Sequence, residues 1–226
     1  MKRFAIIVAG GSGSRMGGGM PKQFRALNGR PVLWWSMKAF HDENPETRLV
    51  VVLPREFVTL WNNLFSSLPE NERFSHEVAF GGETRTESVK NGLSLIVDPE
   101  ALVAVHDGAR PLVDPRIIAK GWETAQKYGA AIPVVAVTDS LRSTEIYPSK
   151  AVDRDKFVAV QTPQVFRTKI LKDAYEYAGR QSFSDDATAV ENMGETVILF
   201  EGSHDNFKIT NPKDMAIAEV LMKGNG

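Results

Sequence analysis

Gly10, Gly11 and Gly13 follow directly on the apolar run Phe4-Ala5-Ile6-Ile7-Val8, and Arg15 and Lys22 come soon after them. Glycine backbone can approach an anion closely and turn several N–H groups onto it. The two cations have no carboxylate near them in sequence, since the first acidic residue of the chain is Asp42. The chemistry this supports is the binding of a polyphosphate, and hence of a nucleotide. The standard glycine fingerprints do not apply. No Gly-x-x-x-x-Gly-Lys-Ser/Thr run exists, and the dinucleotide spacing fails because Met16 stands where the third glycine belongs, with Gly17 one place late. What remains is Gly-Gly-x-Gly-x-Arg-Met followed by Pro21-Lys22-Gln23. Alone, each of these is a loose turn, a solvated loop arginine or a surface lysine; several agreeing positions favour the phosphate.

Other residues carry chemistry by where they stand. Asp107 follows the apolar run Leu102–Val105, at the carboxyl end of an expected strand, where an acid can hold Mg²⁺ or accept from substrate hydroxyls. His106 beside it tempts as a base, but a strand-end histidine is more often structural and is left out of the site. Gly81-Gly82-Glu83 leads into a helical pattern, and Lys208 lies between Phe207 and Ile209, where a lysine either snorkels from a strand or points into a site. The chain has no cysteine, which excludes disulfides, thiolate zinc sites and a cysteine nucleophile.

The elements that must position these groups alternate. Strand-like runs occur at Phe4–Val8, Arg48–Leu53, His76–Phe80, Leu102–His106, Ala131–Val137 and Thr196–Phe200. Helical patterns occupy Pro31–Phe40, Thr84–Val97, Pro115–Tyr128 (capped by Asp114 and stopped by Gly129) and Pro212–Met222 (capped by Asn211). Continuously apolar strands alternating with helices predict an α/β fold: a mostly parallel, Rossmann-like sheet with helices on both faces, its ligands at the carboxyl ends of the strands. Residues 138–164 break the rhythm. Ser140–Ile146 and Lys156–Val160 read as the two strands of a protruding β-hairpin arm turning at Tyr147-Pro148-Ser149-Lys150. Exposed ribbons are marginal alone, so a partner subunit is expected against it. The whole, residues 1–226, reads as a single domain carrying that arm.

The charge is uneven. Seven cations and no anion precede Asp42, which leaves 20 cations against 28 anions in the remainder, a net charge of −8 there against −1 for the chain. A local positive field on an acidic body suits a small anionic ligand and argues against a nucleic-acid surface. No apolar stretch approaches the roughly 20 residues of a membrane span. The sequence opens on a strand-like run without a leader pattern, so the expected location is cytoplasmic.

With these pieces placed, the chain resembles the cytidylyltransferases that act on sugar-alcohol phosphates, and among them the branch using 2-C-methyl-D-erythritol 4-phosphate in the non-mevalonate isoprenoid pathway. The resemblance runs nearly full length through AGGSGSRMG with PKQ, GGETRTESV, HDGARP, VDR, QTPQVF, SDDATAVE and NFKIT, in order. It implies a nucleotidyltransferase sheet and an enzyme that joins CTP to a polyol phosphate with Mg²⁺, releasing pyrophosphate. It further implies a nucleotide site of Ala9, Gly10, Gly11, Ser12, Gly13, Gly82, Glu83, Ser88 and Asp107. Arg15, Lys22, Arg154 and Lys208 would be catalytic. Asp107, Arg110, Ser140, Arg154, Thr162, Ser184 and Lys208 would face the acceptor. Arg154, on the arm, would serve the pocket of the other subunit in a homodimer, and Gly17-Gly18-Gly19 would form a lid over CTP.

Plainer readings stand beside these: Ser88 as a helix-face hydroxyl, Arg85 as a helix-end cation in a salt bridge, and Ser140, Thr162 and Ser184 as turn or cap hydroxyls. Ala9-Gly10-Gly11, where Ala-Ala-Gly is common, is reminiscent of the ribitol-5-phosphate cytidylyltransferases, whereas the segments around Arg110, Arg154 and Asp185 look like the isoprenoid branch. Two other classes compete. A nicotinamide oxidoreductase lacks its glycine spacing here, and none of the four tyrosines has a lysine four places on. A non-catalytic nucleotide-binding regulatory module has little need of Arg15, Lys22 and Lys208 together.

Overall fold

Phe4 to Ile7 form a strand without a polar position, and such a strand has to be covered on both faces. The computed structural model describes residues 1–10, 20–145, 147–179 and 181–224. In chain order its elements are β1 (Arg3–Val8), a two-stranded ribbon of β2 (Ala26–Leu27) and β3 (Arg30–Pro31), α1 (Val32–Glu43), β4 (Arg48–Leu53), α2 (Val58–Ser66), β5 (His76–Phe80), α3 (Arg85–Ser94), β6 (Leu102–Asp107), α4 (Pro115–Tyr128) and β7 (Ala130–Ala136). The ribbon β8 (Leu141–Ser143) and β9 (Lys150–Val152) follows, then β10 (Val158–Val160), β11 (Gln164–Arg167), α5 (Thr168–Tyr177), α6 (Asp186–Asn192), β12 (Ile198–Glu201) and α7 (Pro212–Gly224).

Among the described residues the main sheet has eight strands in the order β10-β7-β11-β6-β1-β4-β5, with β12 on the other edge of β7. β5, β4, β1 and β6 are mutually parallel, as are β7 and β12; β10 and β11 run antiparallel to β7. The alternation of side chains sorts the core. Ala5, Ile7, Leu49, Val51, Leu102 and Ala104 meet Trp34, Met37 and Phe40 of α1, Trp61 of α2 and Trp122 of α4. Phe4, Ile6, Val50, Val52, Val103 and Val105 meet Val89 and Leu93 of α3, Leu171 and Tyr175 of α5 and Val190 of α6 on the opposite face.

The expected mostly parallel sheet with helices on both faces is the observed one. α4 begins and ends where its sequence predicts: the Asp114 carboxylate accepts from Arg116 N–H, and Gly129 takes φ 99°, a conformation open to glycine. The other boundaries move by a few residues. α3 stops at Ser94 rather than Val97, and Thr84 caps it by accepting from Glu87 N–H. Asn211 Oδ1 accepts from the N–H groups of Lys213 and Asp214 at the start of α7. For α6 the cap is Asp185, accepting from Thr188 N–H, and not Ser184.

The arm is built differently from expectation. Its second strand is Lys150–Val152, which pairs with Leu141–Ser143; Val158–Val160 instead joins the main sheet against Val134–Ala136. The physical reason is the open edge of β7, which offers the apolar segment ladder partners that a short polar ribbon cannot. Between Val160 (opposite Val134) and Val165 (opposite Ala131) one strand advances five residues while the other advances three. The two extra residues form a bulge at 161–163, a device that re-aims side chains next to functional sites.

Candidate active site

Two groups of residues meet at the carboxyl ends of β1, β5 and β6. The first is built around Ser88. Its hydroxyl, buried on α3, donates to Thr84 O (2.9 Å) and accepts from Gly82 N–H (3.1 Å). A Cβ on Gly10 would stand 3.2 Å from Ser88 Oγ, and one on Gly82 would stand 2.3 Å from Glu87 Cβ. Gly82 therefore has no room for a side chain, and at Gly10 one would press tightly on the Ser88 hydroxyl, where two loops nest on the first turn of one helix. Ala9, just past β1, donates its N–H to Val52 O (2.9 Å) and its carbonyl accepts from Gln23 Nε2 (2.8 Å). That bond returns the segment carrying Lys22 to the strand it left. Gly11, Ser12, Gly13, Arg15 and Gly17-Gly18-Gly19 lie outside the described residues.

The second group is a cluster of cations on one carboxylate. Asp107 Oδ2 lies 3.0 Å from Lys208 Nζ and 3.4 Å from Arg110 Nε, and its Oδ1 lies 3.7 Å from Arg85 Nε. Burial alone would raise the Asp107 carboxyl, but the charges of Lys208, Arg85 and Arg110 outweigh it and hold the group far below the usual carboxylate range. Lys22 joins them from the other side, donating to Ile209 O (2.6 Å), one residue from Lys208. Arg85 continues inward to the fully buried Asp186 (2.7 Å), which also accepts from the Tyr175 hydroxyl. Burial and Asp186 push that hydroxyl up, so it remains a neutral donor.

Lys208 and Asp107 thus come together as the sequence implied, and Arg110 is with them. Thr162, on the bulge, is buried behind Asp107 and accepts its N–H (3.1 Å). Arg154, Ser140 and Ser184 are not drawn into this cluster: all three are exposed, and the Arg154 guanidinium donates to Thr138 O on the arm. Glu83 is exposed as well, its N–H held by Glu87 Oε2 (2.7 Å). Sequence reasoning missed Gln161, Gln164, Asp186 and Asn206, which are buried and engaged in holding the segments that carry the site. Their signal was present: polar side chains inside otherwise apolar strings such as Gln164-Val165-Phe166, where an unpaired amide would be costly. Arg85 is in a salt bridge, as its plain reading had it, with Asp186 at 2.7 Å and at longer range with the site's own Asp107 at 3.7 Å.

The donor set does not suit a protein-held metal. Among the described residues no three His, Cys, Asp or Glu side chains are grouped for one, and both oxygens of Asp107 face cations. What the arrangement offers is positive charge at fixed positions at the strand ends, beside the Gly10–Gly82–Ser88 nest. That is a setting for reactions of phosphate esters.

The family description "2-C-methyl-D-erythritol 4-phosphate cytidylyltransferase" matches residues 4–224. The chain belongs to this family. It is 46% identical over 224 residues to the cytidylyltransferase of Bacteroides thetaiotaomicron and 44% identical over 222 residues to that of Phocaeicola vulgatus, covering 98% of this chain and 100% of each relative. The crystal structure of the enzyme from Thermus thermophilus superimposes with a TM-score of 0.79 at 36% identity, covering 99% of this chain and all of that one. As a methylerythritol phosphate cytidylyltransferase the chain is a nucleotidyltransferase of isoprenoid biosynthesis. The ribitol reading, the regulatory module and the oxidoreductase are not favoured.

Proposed function

We propose that the chain transfers CMP from CTP to 2-C-methyl-D-erythritol 4-phosphate, giving 4-diphosphocytidyl-2-C-methyl-D-erythritol and pyrophosphate. Beyond family membership, the observation that carries this is the convergence of Lys208, Arg110 and Arg85 on Asp107, with Lys22 bonded to the segment that bears Lys208, beside the Gly10–Gly82–Ser88 nest. An oxygen of the acceptor phosphate forms the new bond to the α-phosphorus, the α–β bridging bond breaks, and pyrophosphate leaves with the electron pair. A phosphate monoester is already ionised near neutral pH, its second pKa being about 6, so no general base is needed. The barrier is one of anion meeting anion, and catalysis consists of positioning and charge compensation.

In this reading the backbone of Ala9, Gly10, Gly11, Ser12 and Gly13 cradles the triphosphate, with Gly82, Glu83 and Ser88 at the base and ribose end. Arg15 and Lys22 bear on the α-phosphate and the departing pyrophosphate. Lys208 and Arg110 face the acceptor, with Thr162 behind them holding the Asp107 N–H; Ser140 and Ser184, exposed outside the cluster, are assigned no contact. Asp107 keeps three like charges together until substrate anions take over that task. Mg²⁺, brought with CTP, would supply further neutralisation of the phosphate charge, a task that Lys22, Lys208 and Arg110 share from the protein side.

Tyr147 on the arm and Phe157, Val158 and Val160 at the sheet edge are exposed, which supports a homodimer in which the arm carries Arg154 to the pocket of the second subunit. Among the described residues no helix is long and apolar enough to cross a membrane, and we take the enzyme to work in the cytoplasm. The deciding experiment is pyrophosphate release from CTP and Mg²⁺ with 2-C-methyl-D-erythritol 4-phosphate and ribitol 5-phosphate in parallel. Preference for the first is expected. Preference for ribitol 5-phosphate would overturn the acceptor, and release with neither would overturn the enzyme reading. Light scattering is expected to give a dimer, and an active monomer would remove the arm from the site.

A further inference from the structure

His106 takes no part in the chemistry above, yet it is fully buried and uses both ring nitrogens. Nε2 lies 3.1 Å from Arg110 O, and a carbonyl can only accept, so Nε2 carries the proton. In a neutral ring Nδ1 is then an acceptor, and the Thr162 hydroxyl, 3.0 Å away, donates to it. The same oxygen accepts from Asp107 N–H (3.1 Å). The circuit goes on: Arg110 Nη1 donates to Asn206 O (2.7 Å), and Asn206 Nδ2 donates to Thr162 O (2.8 Å). It is a closed ring of side chains and backbone joining the end of β6, the bulge and the segment that bears Lys208. A further bond from Ile209 N–H to Ala109 O (2.8 Å) fastens that segment, and the Phe40 ring lies edge-on to the imidazole at 5.4 Å.

We propose that His106 is a positioning residue: a neutral imidazole, protonated on Nε2, that closes this ring and so holds Asp107, Arg110, Thr162 and Lys208 as one rigid platform for the acceptor. The assignment of that platform to the acceptor rests on the functional reading above; the ring and the tautomer do not. None of the ring's bonds reaches the Gly10–Gly82–Ser88 nest, and Asp107 touches the helix that carries it only through Arg85 at 3.7 Å, so the loss falls chiefly on the acceptor side. A group that merely stabilised the fold would affect both.

The test uses the full chain with His106→Phe, His106→Asn and His106→Gln, assayed with each substrate varied in turn. Misplaced charges act steeply on reactivity, and kcat/KM for the acceptor is expected to fall about 30-fold or more in the phenylalanine variant. KM for CTP is expected to stay within about threefold of wild type. Asparagine keeps a polar group near the Nδ1 position and glutamine one near Nε2, and each is expected to recover part of the loss. Where the phenylalanine variant fails to fold, the two amide variants decide, with a loss of about fivefold or more on the acceptor side alone. Equal losses on both substrates, or no loss in the amide variants, would overturn the proposal. Independently of turnover, nitrogen–proton correlation NMR of the wild-type imidazole at neutral pH is expected to show the Nε2–H tautomer; an Nδ1–H tautomer or an imidazolium would refute it. An intact tautomer in a wild-type protein that releases no pyrophosphate would strike instead at the assignment of the platform to an acceptor.

Discussion

Lowering the pH is expected to destabilise this protein through His106 in a defined window. Burial pulls the ring down from its ordinary value of 6.5 to about 4, because an imidazolium there has no water around it. The folded value lies below the unfolded one, so the unfolded chain takes up the proton first as pH falls. The stability this group contributes is complete above 6.5 and is lost progressively between 6.5 and 4. With about 1.4 kcal/mol per unit of pKa difference, the loss on reaching pH 4 is about 3 kcal/mol. Asp107 is held low by its cations and acts in the opposite range: it contributes above its unfolded value, near 4, and that contribution is lost only at more acid pH. His76, half-buried and also lowered by burial, acts in the same window as His106, so the comparison has to be internal. The assay is urea unfolding of wild type and His106→Gln at pH 7.5, 6, 5 and 4. The glutamine variant starts less stable, and the gap between the two is expected to close by about 3 kcal/mol across the series. With a urea slope of roughly 3 kcal/mol per M, the wild-type midpoint then moves by about 1 M more than that of the variant. Parallel curves would refute the reasoning, because His106 would then titrate alike in folded and unfolded chains.

Lys22→Ala and Lys208→Ala are each expected to cut kcat/KM by about 100- to 1000-fold, the usual loss of a transition-state contact, the second with a loss of thermal stability as well because it removes the nearest cation of the buried Asp107; unchanged turnover in either would remove that residue from the catalytic set. Gly82→Ala forces a Cβ onto Glu87 and loosens the bond to Ser88, so CTP affinity is expected to fall by about 5- to 30-fold, as for an overpacked site losing about 1–2 kcal/mol. Titration calorimetry with CTP checks this, and wild-type affinity would show that the nest does not hold the nucleotide. Asp186→Asn removes the charge of the fully buried member of the pair, leaves the partly buried Arg85 with one charged partner fewer, and is expected to cost about 3–5 kcal/mol in urea unfolding. A loss below about 1 kcal/mol would mean that water reaches the guanidinium.

The sequence by itself determined the alternation that makes the sheet. Phe4–Val8, Arg48–Leu53 and Leu102–His106 are apolar at nearly every position, and only a parallel sheet covered on both faces buries such strands. It determined the ends of α4, since Asp114, Pro115 and Gly129 act on their immediate neighbours. It also singled out the strand-end Asp107 and the apolar-flanked Lys208, and the family resemblance placed them in one site. The spacing of Leu171, Ala174 and Tyr175 puts one apolar face on α5. What only the tertiary structure decided is long-range pairing. Nothing local tells Val158–Val160 to prefer the edge of β7 over the arm, because ladder partners are chosen by what the rest of the fold leaves open. Nor does any local pattern bring His106 to Thr162, Asn206 to Arg110, or Arg85 to Asp107 and Asp186. These bonds join segments far apart in the chain, and they form because each polar group, once buried by the packing around it, has to be satisfied by whatever the fold sets beside it.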